Sequence, residues 1–208
     1  MIKMNISRLI LSQEHDSFPA LDQVPAIQRR RLSFIAKLAL NSAIDTLAND
    51  QVDYIIWASQ YGDEHKTLKI LSDVVQDQAP SPTQFSTSVH NAISGLYSIL
   101  RVDPTPSTSL ASSWNDALIE AYAWLKTSAK HDAKVLVVYY DESLPEIYKE
   151  YESFDAFALA AICTLGRENF ELNLSKKSDE KASIKDALDF YHFWMDETQL
   201  AMQAWQKC

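Results

Sequence analysis

The chain has 208 residues, 47% of them hydrophobic and 23% charged, with a formal net charge of −9. That length suits one domain of about 100–200 residues around a single core, and the composition excludes a disordered or fibrous chain. The acidic balance argues against nucleic acid as a partner, because displacing counterions from phosphates needs a clustered basic face.

The first residues lack the apolar core and small-residue cleavage site of a signal peptide. No apolar run approaches the roughly 18–20 residues of a membrane-spanning helix. A cytoplasmic location is therefore expected, and two cysteines make no disulfide framework.

In chain order, residues 5–11 suit a short strand, followed by a loop through Pro19 and Pro25. From 27 to 47 the apolar positions Leu32, Ile35, Leu38, Ala39, Ala43 and Leu47 keep the helical period and predict one long amphipathic helix. Arg29, Arg30 and Arg31 would form its solvated face. Residues 53–59 form a nearly continuous apolar run with β-branched and aromatic members, the pattern of a strand buried on both faces. Gly62 breaks it, and 64–75 reads as a helix.

Pro80 and Pro82 mark a loop, since the residue before each proline is pushed out of the helical region. A helix is expected over 88–100, with Ala92 and Gly95 admitting close approach of a neighbour. A short strand at 108–111 then runs into a helix from Trp114 to about 128 whose apolar residues circle nearly the whole circumference. Such a helix needs cover nearly all round. Strands are predicted at 135–140 and 157–165, and an edge strand at 170–174. After a polar run at 175–183, a last helix, continuous or broken, is expected over 184–205. Its Phe190, Phe193, Trp194 and Trp205 could make it a lid over the apolar helix. The alternation of strands and helices predicts an α/β fold with a mostly parallel sheet covered by helices.

Little in the sequence announces chemistry. The five histidines show no zinc-ligand spacing, so no metal is expected. Three glycines cannot build a glycine-rich phosphate cradle, and no cofactor is expected. Cys163 lies in an apolar run and reads as a small buried hydrophobe. His90 stands at a helix start, where capping or loop bonding is the simplest role and a partner-facing one the next. Ser112 and Ser113 occupy a strand-to-helix turn, a place where α/β enzymes expose nucleophiles. The nearest histidine in sequence, His131, lies beyond a whole helix, so helix capping is the expected role of these serines.

Two blocks, WASQYGD at 57–63 and SPTQFSTSVHNAISGL at 81–96, resemble the short β-ketoacyl-synthase-like proteins known as chain-length factors of bacterial aryl polyene clusters. Supporting matches are residues 25–40 with the triple arginine, Tyr140-Asp141-Glu142 followed by Leu144-Pro145, and Ala187-Leu188-Asp189-Phe190. The resemblance implies the N-terminal half of a thiolase-like (ketosynthase) fold, with residues 1–208 as a single truncated ketosynthase-like domain. In a ketosynthase the corresponding turn carries a nucleophilic cysteine, assisted by two histidines from the C-terminal half. Here residues 110–116 read LASSWND, with no cysteine, and the lost nucleophile falls at Ser113, or at Ser112 if the alignment slips by one.

The resemblance thus implies a catalytically inactive subunit that pairs with a full-length β-ketoacyl synthase as a heterodimer, stabilising it and shaping its acyl tunnel. An acyl carrier protein would be met only indirectly. The partner face it implies includes Phe85, Ser88, His90, Asn91, Leu110 and Trp114. Two alternatives stay open: a serine-dependent acyl-transferring or hydrolytic enzyme at Ser112 or Ser113, and a self-associating binding protein.

Overall fold

The computed structural model describes residues 1–176 and 184–208. Most of the polar run expected at 175–183 lies outside them. At the centre is one eight-stranded sheet built from β1 (Ile2–Gln13), β2 (Tyr54–Ser59), β3 (Ser107–Ala111), β4 (Lys134–Asp141), β5 (Phe157–Thr164), β6 (Phe170–Leu172), β7 (Ala201–Met202) and β8 (Trp205–Lys207). Their spatial order is β3-β2-β4-β5-β1-β6-β8-β7.

The α/β class holds, with helices on both faces of the sheet, but the sheet is mixed rather than mostly parallel. Only β2 with β3 and β2 with β4 run parallel; the other pairings are antiparallel. The cause lies in the connections. Parallel neighbours need a long crossover, usually helical. The chain supplies one between β2 and β3, through α3 (Glu64–Val75), α4 (Pro82–Ser88) and α5 (Ala92–Arg101), and one between β3 and β4, through α6 (Trp114–Thr127). Between β4 and β5 there is only a 3-10 turn, Glu146–Tyr148, and β5 comes back antiparallel.

Side chains of the central strands alternate between two cores. Val135, Val137 and Tyr139 of β4 face α6 and α7 (Lys185–Met195), while Leu136, Val138 and Tyr140 face α2 (Phe34–Leu47) and α5. Because both faces are covered, β2 and β4 are apolar almost without interruption, as the sequence pattern requires.

The long helix expected over 27–47 is two pieces, α1 (Ala26–Arg29) and α2, separated by residues 30–33. Arg30 and Arg31 therefore lie in a turn and not on a helix face. Eleven of the fourteen residues of α2 are buried, so α2, not α6, is the helix enclosed nearly all round. Its small residues Ala36, Ala39, Ser42 and Ala43 let it lie close to β1, β4 and β5, with the 3-10 turn Pro19–Gln23 also packed against it. In contrast α6 buries one face, through Trp114, Ala117, Leu118, Ala121 and Leu125, and leaves Ala123 exposed. Its remaining large residues are half-buried along the side, where Trp124 stacks on Tyr54 at 4.8 Å.

The cover over α6 is α7. Phe190 sits 5.4 Å from Trp114, 5.4 Å from Phe170 and 5.3 Å from Trp205, ring to ring, and Trp205 Nε1 donates to Asn115 Oδ1 at 2.8 Å. The helix expected to reach 205 stops at Met195, however, and the chain returns as the β7–β8 hairpin. β8 pairs with β6, so the expected edge strand at 170–174 is an interior one. Pro82 is likewise not in a loop: it is the first residue of α4, where its missing N–H is no loss, and α5 begins at Ala92, later than expected. Among the described residues no helix is long and apolar enough to cross a membrane.

Candidate functional site

The three strands β2, β3 and β4 end on the same side of the sheet, where open α/β folds place ligand-handling loops. The turn after β2 is clamped by Asp141, the last residue of β4. Its carboxylate accepts from Ser59 Oγ at 2.8 Å, Gln60 N at 2.9 Å and Tyr61 N at 3.0 Å, and Ser59 Oγ accepts in turn from Gly62 N at 2.7 Å. Burial pushes the Asp141 carboxyl up to about 6, against the pull of these donors. Gly62 has φ +74°, and a Cβ there would meet the His90 ring at 3.2 Å. The link between α4 and α5 is thereby packed onto the turn after β2.

Next along the same edge, Asp63 caps α3 by accepting from Lys66 N at 3.1 Å and pairs with Lys66 Nζ at 2.7 Å. Glu142 is buried near it; burial first, and then the Asp63 charge, raise its carboxyl to about 8.

The turn after β3 is tied to β2 by Ser112 N donating to Ser59 O at 3.2 Å. Ser113 forms a capping box at the start of α6: its Oγ donates to Asp116 Oδ2 at 2.7 Å and accepts from Asp116 N at 3.2 Å. Ser112 Oγ is buried without a hydrogen-bond partner. Among the described residues no hydrogen bond from a histidine reaches Ser113 Oγ or Ser112 Oγ. A serine hydroxyl needs an adjacent base to become a good nucleophile, and the group that Ser113 Oγ meets is the carboxylate of its own capping box. The helix-capping role expected of this turn is what Ser113 performs.

Cys163 is fully buried in β5, and burial raises its thiol to about 12, so it remains an inert hydrophobe. Among the described residues no group of three or more His, Cys, Asp and Glu is placed to hold a metal.

The expected partner-facing residues divide. Phe85 is 62% exposed, Asn91 is exposed, and Ser88, His90 and Leu110 are half-buried around α4, α5 and β3. Trp114 does not belong with them: at 0% exposure it is part of the core against Phe190 and offers no surface. Two exposed residues of the same region, Ile99 and Val102, were passed over in the sequence; the signal for Ile99 was its i, i+4 spacing from Gly95 on the face of α5 opposite Ile93, Tyr97 and Leu100, and Val102 is the left-handed residue that ends α5. Val89, expected on the apolar side of that helix, lies before α5 and is exposed. Among the described residues no atom outside α5 and the chain neighbours of Gly95 lies within 4 Å of where a Gly95 Cβ would stand, so none of them is the close neighbour that Gly95 was expected to admit.

β3 is the terminal strand of the sheet. Ile55 N donates to Pro106 O and Ser112 N to Ser59 O. The alternation of a parallel ladder then turns the backbone groups of Ser107, Ser109 and Ala111 outward, and among the described residues no strand lies beside them.

The family described as "Beta-ketoacyl synthase, N-terminal domain" matches residues 6–207. A search of curated proteins returns no match. Among solved structures the chain is similar to one from the complex of a ketosynthase (ApeO) with its chain length factor (ApeC) from Xenorhabdus doucetiae, with 23% identity, coverage of 100% of this chain and 98% of that one, and a TM-score of 0.77. It is also similar to PksG, an HMG-CoA synthase from Bacillus subtilis, at 13% identity and a TM-score of 0.50 over 93% of this chain and 50% of that one. The chain thus spans about half the length of that synthase.

Proposed function

The chain belongs to the β-ketoacyl synthase family, matching its N-terminal domain, and from that premise we propose that it is a non-catalytic subunit of the chain-length-factor type. It pairs with a full-length β-ketoacyl synthase of aryl polyene biosynthesis, stabilises it and shapes the tunnel that receives the growing acyl chain. An acyl carrier protein is engaged through that partner. The likeness to a chain from a ketosynthase and chain length factor complex, of nearly the same length as this one, supports the reading.

The observation that carries it is the unpaired edge of β3 beside exposed apolar residues of α4 and α5. An open strand edge next to apolar surface is a template for another chain. A partner strand laid along Ser107, Ser109 and Ala111 would complete their hydrogen bonds. Gly95 would let the partner's backbone approach α5, while Phe85, Ile99 and Val102 supply the apolar contact. A stable pairing needs about 800 Å² buried on each side.

Co-expression with the ketosynthase encoded beside it tests this: the two chains should co-purify and run as one complex by light scattering, and a chain that stays monomeric in the partner's presence overturns the pairing. Loss of chemistry is supported by the engagement of Ser113 in its capping box. Incubation with an acyl-carrier-protein thioester should leave the intact mass of this chain unchanged. An adduct that disappears in Ser112→Ala or Ser113→Ala would establish the serine enzyme instead.

A further inference from the structure

A second feature lies at the same end of the sheet but uses none of the residues assigned to the pairing face. A slot of about 220 Å³ is lined by Tyr61, Glu64, Leu144, Tyr148 and Tyr151. Its walls are mainly aromatic and apolar. Tyr61 is fixed in place, stacked on Phe154 with ring centroids 6.2 Å apart and donating from its hydroxyl to Glu152 Oε2 at 2.6 Å. Glu64 is half-buried at the start of α3, and among the described residues no ion pair reaches it. Burial raises its carboxyl above the ordinary value, with His90 and His65 opposing and the Asp63 charge adding to the rise.

We propose that this slot receives an arginine side chain from a partner protein. Three tyrosines with a carboxylate among them match a cation: the ring faces attract the positive charge, and the carboxylate neutralises it. A guanidinium fits better than an ammonium because it is planar, stacks on tyrosine and can donate two parallel bonds to Glu64. The charge around the slot has the right sign, with Glu146, Glu150, Glu152 and Asp155 set against Lys149 alone in the segment that follows β4. The lysine is already paired with Glu146 at 2.6 Å.

The occupant is a protein segment rather than a free amine because apolar surface continues past the slot. Ile147 is 58% exposed, and a small cation held by the slot would leave it in water. The segment that docks therefore carries arginine between apolar residues.

The test is an amide-shift NMR titration of the full chain with three probes: a blocked leucine–arginine–leucine peptide, the same peptide with uncharged citrulline for arginine, and methylguanidinium. The arginine peptide should shift the amides of residues 61–64 and 144–151 and bind at least about tenfold more tightly than the citrulline peptide. Glu64→Gln and Tyr151→Ala should each weaken it by about tenfold while the rest of the spectrum is unchanged, which separates lost binding from lost folding. Equal binding of the citrulline peptide, no shift in those segments, or full binding by Glu64→Gln overturns the proposal. Methylguanidinium binding as tightly as the peptide would reassign the slot to a small free cation and overturn the docking role. None of these outcomes bears on the ketosynthase pairing, which is read by co-purification.

Discussion

Replacing Gly95 by tryptophan separates the partner reading from a purely structural one. In the isolated chain the substitution should cost nothing. Gly95 is in the middle of α5, has no positive φ, and has open space where a side chain would start. A glycine inside a helix is about 0.5–1 kcal/mol worse than alanine, and tryptophan ranks between them, so the folded chain should be unchanged or stabilised by a few tenths of a kcal/mol. In the complex the same indole must fit where the partner approaches α5. Overpacking a close contact costs about 1–3 kcal/mol, equivalent to roughly 5-fold to 150-fold in Kd. The assay is a pair of measurements on one variant: urea unfolding of the chain alone, and titration calorimetry against the ketosynthase. An unfolding midpoint held within error together with weakened binding supports the reading. Unaltered Kd would remove Gly95 from the interface, and a destabilised monomer would refute the open-space argument itself.

Three further outcomes follow from the packing and the buried charges. Phe190→Ala should cost about 3–5 kcal/mol in chemical unfolding, because Phe190 joins Trp114, Phe170 and Trp205 in one cluster; a loss under about 1 kcal/mol would mean that α7 is not an integral cover of α6. Ser113→Ala should lower stability by about 1 kcal/mol through loss of the cap and leave partner binding intact; an undiminished unfolding midpoint would count against the capping box. The carboxyl of Glu142 holds its proton up to about 8 in the folded chain, against 4.5 for an ordinary glutamate, so its contribution to stability is full below about 4.5 and is lost as pH rises through 8. Asp141 acts in the same direction between 3.8 and about 6. The urea midpoint should therefore fall between pH 5 and pH 9 in the wild type and fall less in Glu142→Gln; parallel profiles for the two would show that Glu142 is not the group responsible.

Local sequence determined most of the elements, and the reason is that they are decided by near neighbours. The apolar run ending at Ser59 makes β2, the period of α3 spans Glu64–Val75 as read, and VLVVYY makes β4. Ser113 caps α6 as a serine before a helix with an acid three residues on should, and the lack of a cysteine in that turn is plain from the letters alone. Tertiary structure decided the rest. Periodicity tells how much of an element is apolar, but not which neighbour covers it: α6 looked the most enclosed and α2 is, because α2 pairs small residues with cover from the sheet and the Pro19–Gln23 turn. The direction of β5 depended on whether its connection could cross over, and the interior place of β6 on a hairpin more than thirty residues further along the chain. Exposure of the residues expected to face a partner was legible only in part. Phe85 is exposed, as a partner-facing residue must be, but Trp114 went into the core, because an aromatic residue at the first turn of a helix reads the same whether α7 covers it or not.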